Sequence, residues 1–326
     1  MRVAVLGGGR SSEHDVSLAS AASVREGLVA AGHEVVDVRL DRKDGAWRVD
    51  GEELALHPGR GLLGCDVVFA ALHGPFGEDG TVQGVLELLD VPYVGSGVLA
   101  SAACMDKVVF KDLMAAAGLD QVGYVLAEAG RPVPDVSGLT APLWVKPARL
   151  GSSVGIVRVE DPATGLDAAL AEAFAHDPRV IIEASATGLE VECSVLGHTD
   201  DPGTSVPGEI VLTGGEDGWY DYEAKYTLGS MRLQVPARIS PSATERVQEL
   251  AARAYGAAGC SGLARADFFV DGEVVVLNEL NTMPGFTQTS VYAALWDHSG
   301  LAYPALVDRL CVLARERHAA LRSARF

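Results

Sequence analysis

The sequence predicts a chain of mixed α/β and α+β class whose N-terminal part is built on a parallel sheet. Three observations lead there. Short apolar strands alternate with amphipathic helices over the first third of the chain, the pattern of βαβ units. The middle changes to short strands separated by a glycine-serine loop and one helix. Near the C-terminus, Arg265-Ala266-Asp267 and Glu279-Leu280-Asn281 bracket a β-branched and aromatic run that Asp271-Gly272 interrupts, which reads as two antiparallel strands joined by a tight turn.

Taken in order, residues 3–6 form a short buried strand, Gly7-Gly8-Gly9 a turn, and Ser12-Glu13-His14-Asp15 has the spacing of a capping box. Leu18, Ala21, Val24 and Leu28 share one helical face, with Gly32 as the stop. A strand at 34–38 completes a βαβ unit. A third strand, 66–72, runs into His73-Gly74-Pro75-Phe76-Gly77-Glu78-Asp79-Gly80 and a helix with Val82, Val85, Leu86 and Leu89 on one side. Function in such sheets gathers at the carboxyl ends of the strands, where both polar loops lie.

After Gly95-Ser96-Gly97, a helical segment carries Met105-Asp106-Lys107 and stops at Gly118. Strands at 142–147, 156–159 and 179–183, a loop at 148–155 and a helix at 166–174 make a compact α+β unit. In residues 187–197, Glu190, Glu192 and Ser194 alternate with Leu189, Val191, Cys193 and Val195, as in a half-exposed strand. Residues 213–230 are polar, glycine-bearing and aromatic, a length and composition that suit a docking loop. The tail, 315–325, reads as a solvated basic helix end.

The 326 residues suggest two or three domains, and a 48% hydrophobic content can fill their cores. A net charge of -18 repels nucleic acid and anionic membranes at long range, so an anionic ligand must be held by local cations. Five scattered cysteines, never spaced as CxxC, suggest reduced core residues rather than zinc ligands or disulfides. The opening strand is too short for a signal-peptide core and no apolar run approaches ~18 residues, so a soluble cytoplasmic protein is expected. Only five of the 26 basic residues are lysines: Lys43, Lys107, Lys111, Lys146 and Lys225. Where arginine supplies ordinary surface charge, lysine suits a mobile point charge for phosphate; Lys43 and Lys111 read as solvated surface.

Alternation puts Arg265 with Asp267, and Glu279 with Asn281, on common faces. A two-residue hairpin loop would set the pairs on opposite faces, whereas a three-residue loop with Gly272 in a left-handed bulge brings them together. Three oxygen side chains then converge, as Mg²⁺ requires in nucleotide enzymes. The first glycine turn matches a dinucleotide fingerprint imperfectly, because Glu13 opposes a pyrophosphate at the helix N-terminus and better suits an ammonium group. Gly151-Ser152-Ser153-Val154-Gly155 lies between strands as a hairpin whose backbone N–H groups could wrap phosphates, with Lys146 just before it. Glu183 and Glu190 flank a strand end where a carboxylate could accept ribose hydroxyls.

With these clusters in place, the chain resembles the D-alanine:D-alanine ligases of the ATP-grasp superfamily over roughly residues 3–310. The resemblance rests on Gly8-Gly9-Arg10-Ser11-Ser12-Glu13-His14-Asp15-Val16-Ser17, His73 to Gly80, Met105-Asp106-Lys107, Lys146-Pro147 with the 151–155 loop, Tyr220-Asp221-Tyr222-Glu223-Ala224-Lys225-Tyr226, Arg265-Ala266-Asp267, and Glu279 through Ser290. Each is weak alone; seven in the family's order are specific.

The resemblance implies a three-domain ATP-grasp architecture: an N-terminal α/β domain (1–98), a central domain (99–185) and a C-terminal domain (186–326) with a lid at 213–230. It implies that ATP phosphorylates one D-alanine and that the amine of a second attacks the acyl phosphate, for peptidoglycan precursor synthesis. Asp267, Glu279 and Asn281 would hold two Mg²⁺ ions, or Mn²⁺. Lys107, Lys146, Ser152, Ser153, Lys225, Glu183, Ala184, Ala186 and Glu190 would contact ATP. Glu13, with His73 nearby, would bind the first substrate and Ser290 the carboxylate of the second. Arg265 and the Gly285 N–H would stabilise the oxyanion, and Tyr226, Ser152 and Glu13 would join lid to site. A homodimer is implied as well. Ala148, Leu150 and Arg10 depart from commoner family choices. Ligation of D-alanine to D-lactate or D-serine, a nicotinamide oxidoreductase and a non-catalytic nucleotide module are the competing readings.

Overall fold

The computed structural model describes residues 1–212 and 231–324. The N-terminal sheet is centred on β1 (Arg2–Gly8), flanked in parallel by β2 (Glu34–Leu40) and β5 (Val67–Ala70), with β3 (Trp47–Val49) and β4 (Glu52–Glu53) as an antiparallel edge. The apolar stretches predicted as strands are fully buried in β1 and β5, as central parallel strands must be. Helix α1 (His14–Ala30) follows β1, and α2 (Thr81–Leu89) follows β5 and its polar loop. Ser17 joins all three, its hydroxyl donating to Ala71 O and accepting from Gly8 N.

The expected capping box does not form. The helix begins after Glu13, and Ser11, not Ser12, does the local work by accepting from Glu13 N and donating to His73 O. Glu13 is thereby left for the site.

Next come α3 (Val98–Met105) and α4 (Lys107–Ala116), which Asp106 separates by capping Val108 N and Val109 N. A four-stranded antiparallel sheet follows, in the order β6-β9-β7-β8, from β6 (Tyr124–Glu128), β7 (Leu143–Pro147), β8 (Val157–Val159) and β9 (Arg179–Ala184). Helix α5 (Pro162–Phe174) packs its apolar face on Val145, Val180 and Ile182. The opposite face, with Ile181, meets Val108 of α4.

The third sheet runs β13-β12-β10-β14-β15, from β10 (Leu189–His198), β12 (Gly208–Leu212), β13 (Met231–Gln234), β14 (Gly262–Asp271) and β15 (Val274–Asn281), with β11 (Asp201–Thr204) beside β10. Helix α6 (Pro241–Ala257) covers its apolar face through Val247, Leu250 and Ala254. Strand β10 is not half-exposed as its alternation suggests, since Glu192 and Ser194 are as buried as their apolar neighbours. Its polar face is a floor for other side chains rather than a solvent surface.

Helices α7 (Val291–His298) and α8 (Tyr303–Ser323) turn back to the N-terminal sheet, where Leu306, Val307 and Leu310 join Val3, Val5 and Phe69 in one core. Gly27 makes this docking possible: a Cβ there would lie 2.8 Å from the Tyr303 ring. The basic tail is only partly solvated. Arg317 lies over the Tyr93 ring and donates to Gly95 O, and Arg322 pairs with Asp90 and Glu87.

Candidate active site

The hairpin of β14 and β15 corrects its predicted geometry in an instructive way. Asp271 pairs with Val274, so the turn holds two residues, Gly272 and Glu273, and not the three expected. By itself that register would face Glu279 away from Asp267. A bulge between Asp267 and Phe268, absorbing Asn278, shifts the register so that Asp267 sits directly opposite Glu279 and Arg265 opposite Asn281. The extra residue that re-aims the side chains therefore lies beside the site, where bulges are common.

On that face Arg265 grips Asp267 through Nε (2.7 Å) and Nη2 (2.6 Å) and reaches Glu192 across the strand at 2.8 Å. The Asn281 amide spans both carboxylates, 3.0 Å from Asp267 Oδ2 and 3.5 Å from Glu279 Oε1. Three hard oxygen side chains thus share one small space, a donor set that fits Mg²⁺ or Mn²⁺ with positions left for phosphate oxygens. Glu192 was not among the predicted site residues. Its cross-strand register with Asp267, invisible in sequence, is what brings it in.

At the carboxyl edge of the N-terminal sheet, Glu13 accepts a hydrogen bond from Ser152 Oγ, joining the first βα loop to the glycine-serine loop between β7 and β8. Ser152 and Ser153 both have positive φ, 52° and 58°, which turns successive backbone N–H groups to one side as an anion nest does. Gly74 also has positive φ, and a Cβ there would fall 2.5 Å from Glu13 Oε2. The two loops therefore close around one carboxylate.

His73 sits behind this. Its Nδ1 donates to Met283 O at 3.0 Å, which makes Nε2 the acceptor for the Ser20 hydroxyl at 2.8 Å. Burial holds this imidazole below its ordinary pKa, against the pull of Glu13. With both nitrogens engaged, His73 ties β5, α1 and the loop after β15 together. Glu78, another residue the motif reading did not single out, accepts from Gly74 N at 2.7 Å; burial first, then the Glu13 charge, push its carboxyl up to about 8. Ser290 caps the loop that ends at α7, its hydroxyl accepting from Thr287 N, and Gly285 lies against it.

On the central sheet Glu183 carries both its oxygens to lysines: Oε2 is 2.5 Å from Lys146 and Oε1 is 2.9 Å from Lys111. Lys111 is not solvated surface but a 2%-exposed side chain beneath the sheet. Lys107 donates to Leu150 O at 2.6 Å, fixing the phosphate-loop candidate from the start of α4. Ala184 closes β9, and Ala186 and Glu190 follow at the crossing to β10. Lys225, Tyr226 and the expected lid, 213–230, lie outside the described residues.

Two family models match this chain. One, the D-ala D-ala ligase N-terminus, covers residues 2–62 and 48–96; the other, the D-ala D-ala ligase C-terminus, covers 113–312. The chain belongs to the D-alanine–D-alanine ligase family. A family relative from Frankia casuarinae, a D-alanine--D-alanine ligase, is 43% identical over 99% of this chain and 98% of its own. Among solved members, the D-alanine-D-alanine ligase from Coxiella burnetii superposes with a TM-score of 0.88 at 32% identity, covering 99% of this chain and 96% of that one. The VanG D-Ala:D-Ser ligase from Enterococcus faecalis gives 0.83 at 36% over 96% and 99%. The Bacillus anthracis D-alanine--D-alanine ligase complexed with ATP gives 0.80 at 27% over 98% and 99%.

Proposed function

We infer that this protein joins two D-alanine molecules at the expense of ATP, releasing ADP, phosphate and D-alanyl-D-alanine for peptidoglycan precursors. The observation that carries the reading is the oxygen face of Asp267, Glu279 and Asn281 in a chain of this family, with Glu13, held by Ser152, and Glu279 both acting on the carboxyl of Glu78. The carboxylate of the first D-alanine takes the γ-phosphoryl group of ATP. The amine of the second then attacks that carbonyl, the C–N bond forms, the C–O bond to phosphate breaks with its electron pair leaving on phosphate, and the amine gives up one proton.

Glu13 binds the ammonium of the first substrate, and Ser290 the carboxylate of the second. Asp267 holds the Nε–Nη2 edge of Arg265, which orients the guanidinium; with the Gly285 N–H it forms the oxyanion site, where one donor is typically worth ~10²- to 10³-fold in rate. Asp267, Glu279 and Asn281 hold Mg²⁺, which when bound neutralises charge on the phosphates. Lys107, Lys146 and the nest at Ser152 and Ser153 receive the phosphates, and Glu190, Ala184 and Ala186 border the nucleoside. Cytoplasmic location, a homodimer and domain boundaries near residues 98 and 185 belong to the same reading; the three separate sheets support the boundaries, and no described helix is long and apolar enough to cross a membrane.

A second acceptor is worth testing because the VanG D-Ala:D-Ser ligase is 36% identical over 96% of this chain. Phosphate release from ATP measured with D-alanine alone, with added D-serine or D-lactate, and without any acceptor separates the readings. Turnover with D-alanine alone and dipeptide as product is expected. Product formation only with D-serine or D-lactate added would overturn the D-alanyl-D-alanine assignment.

A further inference from the structure

Lys111 is a lysine the family reading leaves unused. It lies one helical turn after Lys107 on α4, its ammonium 2.9 Å from Glu183 Oε1 and 5.5 Å from the centroid of the Tyr124 ring. Tyr124 and Glu183 are register partners on β6 and β9, and Lys146 projects from the next strand on the same face. One carboxylate therefore bridges two ammonium groups, Lys111 below and Lys146 on the side of the site.

Burying a lysine is expensive unless its charge is met, and one lysine would already complete a pair with Glu183. A neutral Lys146–Glu183 pair would attract phosphate poorly. Two lysines against one carboxylate leave the trio itself at +1, with Glu279 and Glu190 acting on Lys146 from beyond it, in a chain whose total is -18 and which must hold ATP by local cations. Burial pushes Glu183 up, but Lys146 and Lys111 outweigh it and hold the carboxyl at about 2. Burial likewise pushes Lys146 down, and Glu183 outweighs it, so that lysine stays protonated through the neutral range.

We propose that Lys111 is a positioning residue of the nucleotide site, neutralising Glu183 from beneath so that Lys146 keeps its charge for ATP phosphate. The inference rests on the reading of Lys146 as a phosphate lysine. Four variants of the full chain test both: Lys146→Met, Lys111→Met, Lys111→Gln and Lys111→Arg, each measured for ATP KM, kcat and Tm.

Lys111→Met is expected to raise ATP KM about tenfold with kcat within about twofold, the scale of one unit charge acting at roughly 10 Å in an effective dielectric of about 20. Lys111→Arg keeps the charge and should bind ATP near the wild-type level. Lys111→Gln keeps a polar side chain beneath the sheet without the charge and should raise ATP KM as Lys111→Met does, a split between Gln and Arg that a merely structural role would not give. If Lys146→Met leaves ATP KM unchanged, the phosphate-lysine reading fails and the proposal with it. If Lys146→Met weakens ATP use but Lys111→Met and Lys111→Gln do not, or if Lys111→Arg is as weak as they are, the Lys111 proposal alone is overturned. Should Lys111→Met not fold, Lys111→Arg is expected near and Lys111→Gln about tenfold above the wild-type ATP KM, and equal values for the two overturn the proposal.

Discussion

Glu78 lies half-buried in the loop between β5 and α2, and its surroundings store a pH dependence. The unfolded chain releases this proton near 4.5, whereas the native protein holds it up to about 8. The native state therefore binds more protons throughout that window, and this group's effect is to lower stability as pH rises through it. Glu78→Gln removes the titration, so the wild-type Tm minus the variant Tm should fall steadily between pH 4.5 and 8. A difference that stays constant across that range would refute the burial argument. Residue identity marked Glu13, Asp267 and Lys146 as chemistry-bearing from sequence, because charges interrupt apolar or glycine-rich patterns there. Lys111 reads as solvated surface and Glu192 as one side of an alternating strand, since each sits in an ordinary context; only their burial against Glu183 and Arg265 sets them apart.

Among the elements, the β14–β15 hairpin shows how a right conclusion can rest on the wrong device. Asp271-Gly272 correctly marked the turn, but no sequence signal at Asn278 announced the bulge, which arises because the buried Phe268 and Leu277 pair in one register and Asp267 and Glu279 in another. Because Asn278 is the residue the bulge absorbs, deleting it should leave a continuous ladder with Glu279 still opposite Asp267 and Asn281 still opposite Arg265. Activity is then expected to stay within about tenfold of wild type, less than the ~10²-fold that a ~1 Å misplacement at a reacting centre can cost. Circular dichroism should still report a folded protein, and Glu279→Gln provides the comparison with the sheet untouched. A folded Asn278 deletion that loses as much activity as Glu279→Gln would show that the bulge itself is needed and not the shared face alone.

At the scale of the whole molecule, α7 and α8 cover the N-terminal sheet although they follow the C-terminal one. Leu306, Val307 and Leu310 are fully buried against Val3, Val5 and Phe69. Each such side chain contributes ~1.5–3 kcal/mol, and the three together rival the whole net stability of ~5–15 kcal/mol typical of a domain. Truncation after Leu301, which removes α8, should therefore give insoluble protein or lose cooperative unfolding. Truncation after Arg322 should be neutral by the same assays. A soluble, cooperatively melting Leu301 truncation would mean that the N-terminal domain closes its own core.

The sequence by itself determined the alternation of strands and helices, the βαβ beginning, the glycine turns and the order of motifs that places the chain in its family, because period, turn chemistry and charge within apolar runs are local properties. Tertiary structure alone decided which of these local features meet. The bulge at Asn278, the pairing of Lys111 with Glu183, the register of Glu192 with Asp267 and the return of α8 to the first sheet all join residues distant in the chain. Such contacts follow from packing and from the need to satisfy buried charge, which no window of sequence contains.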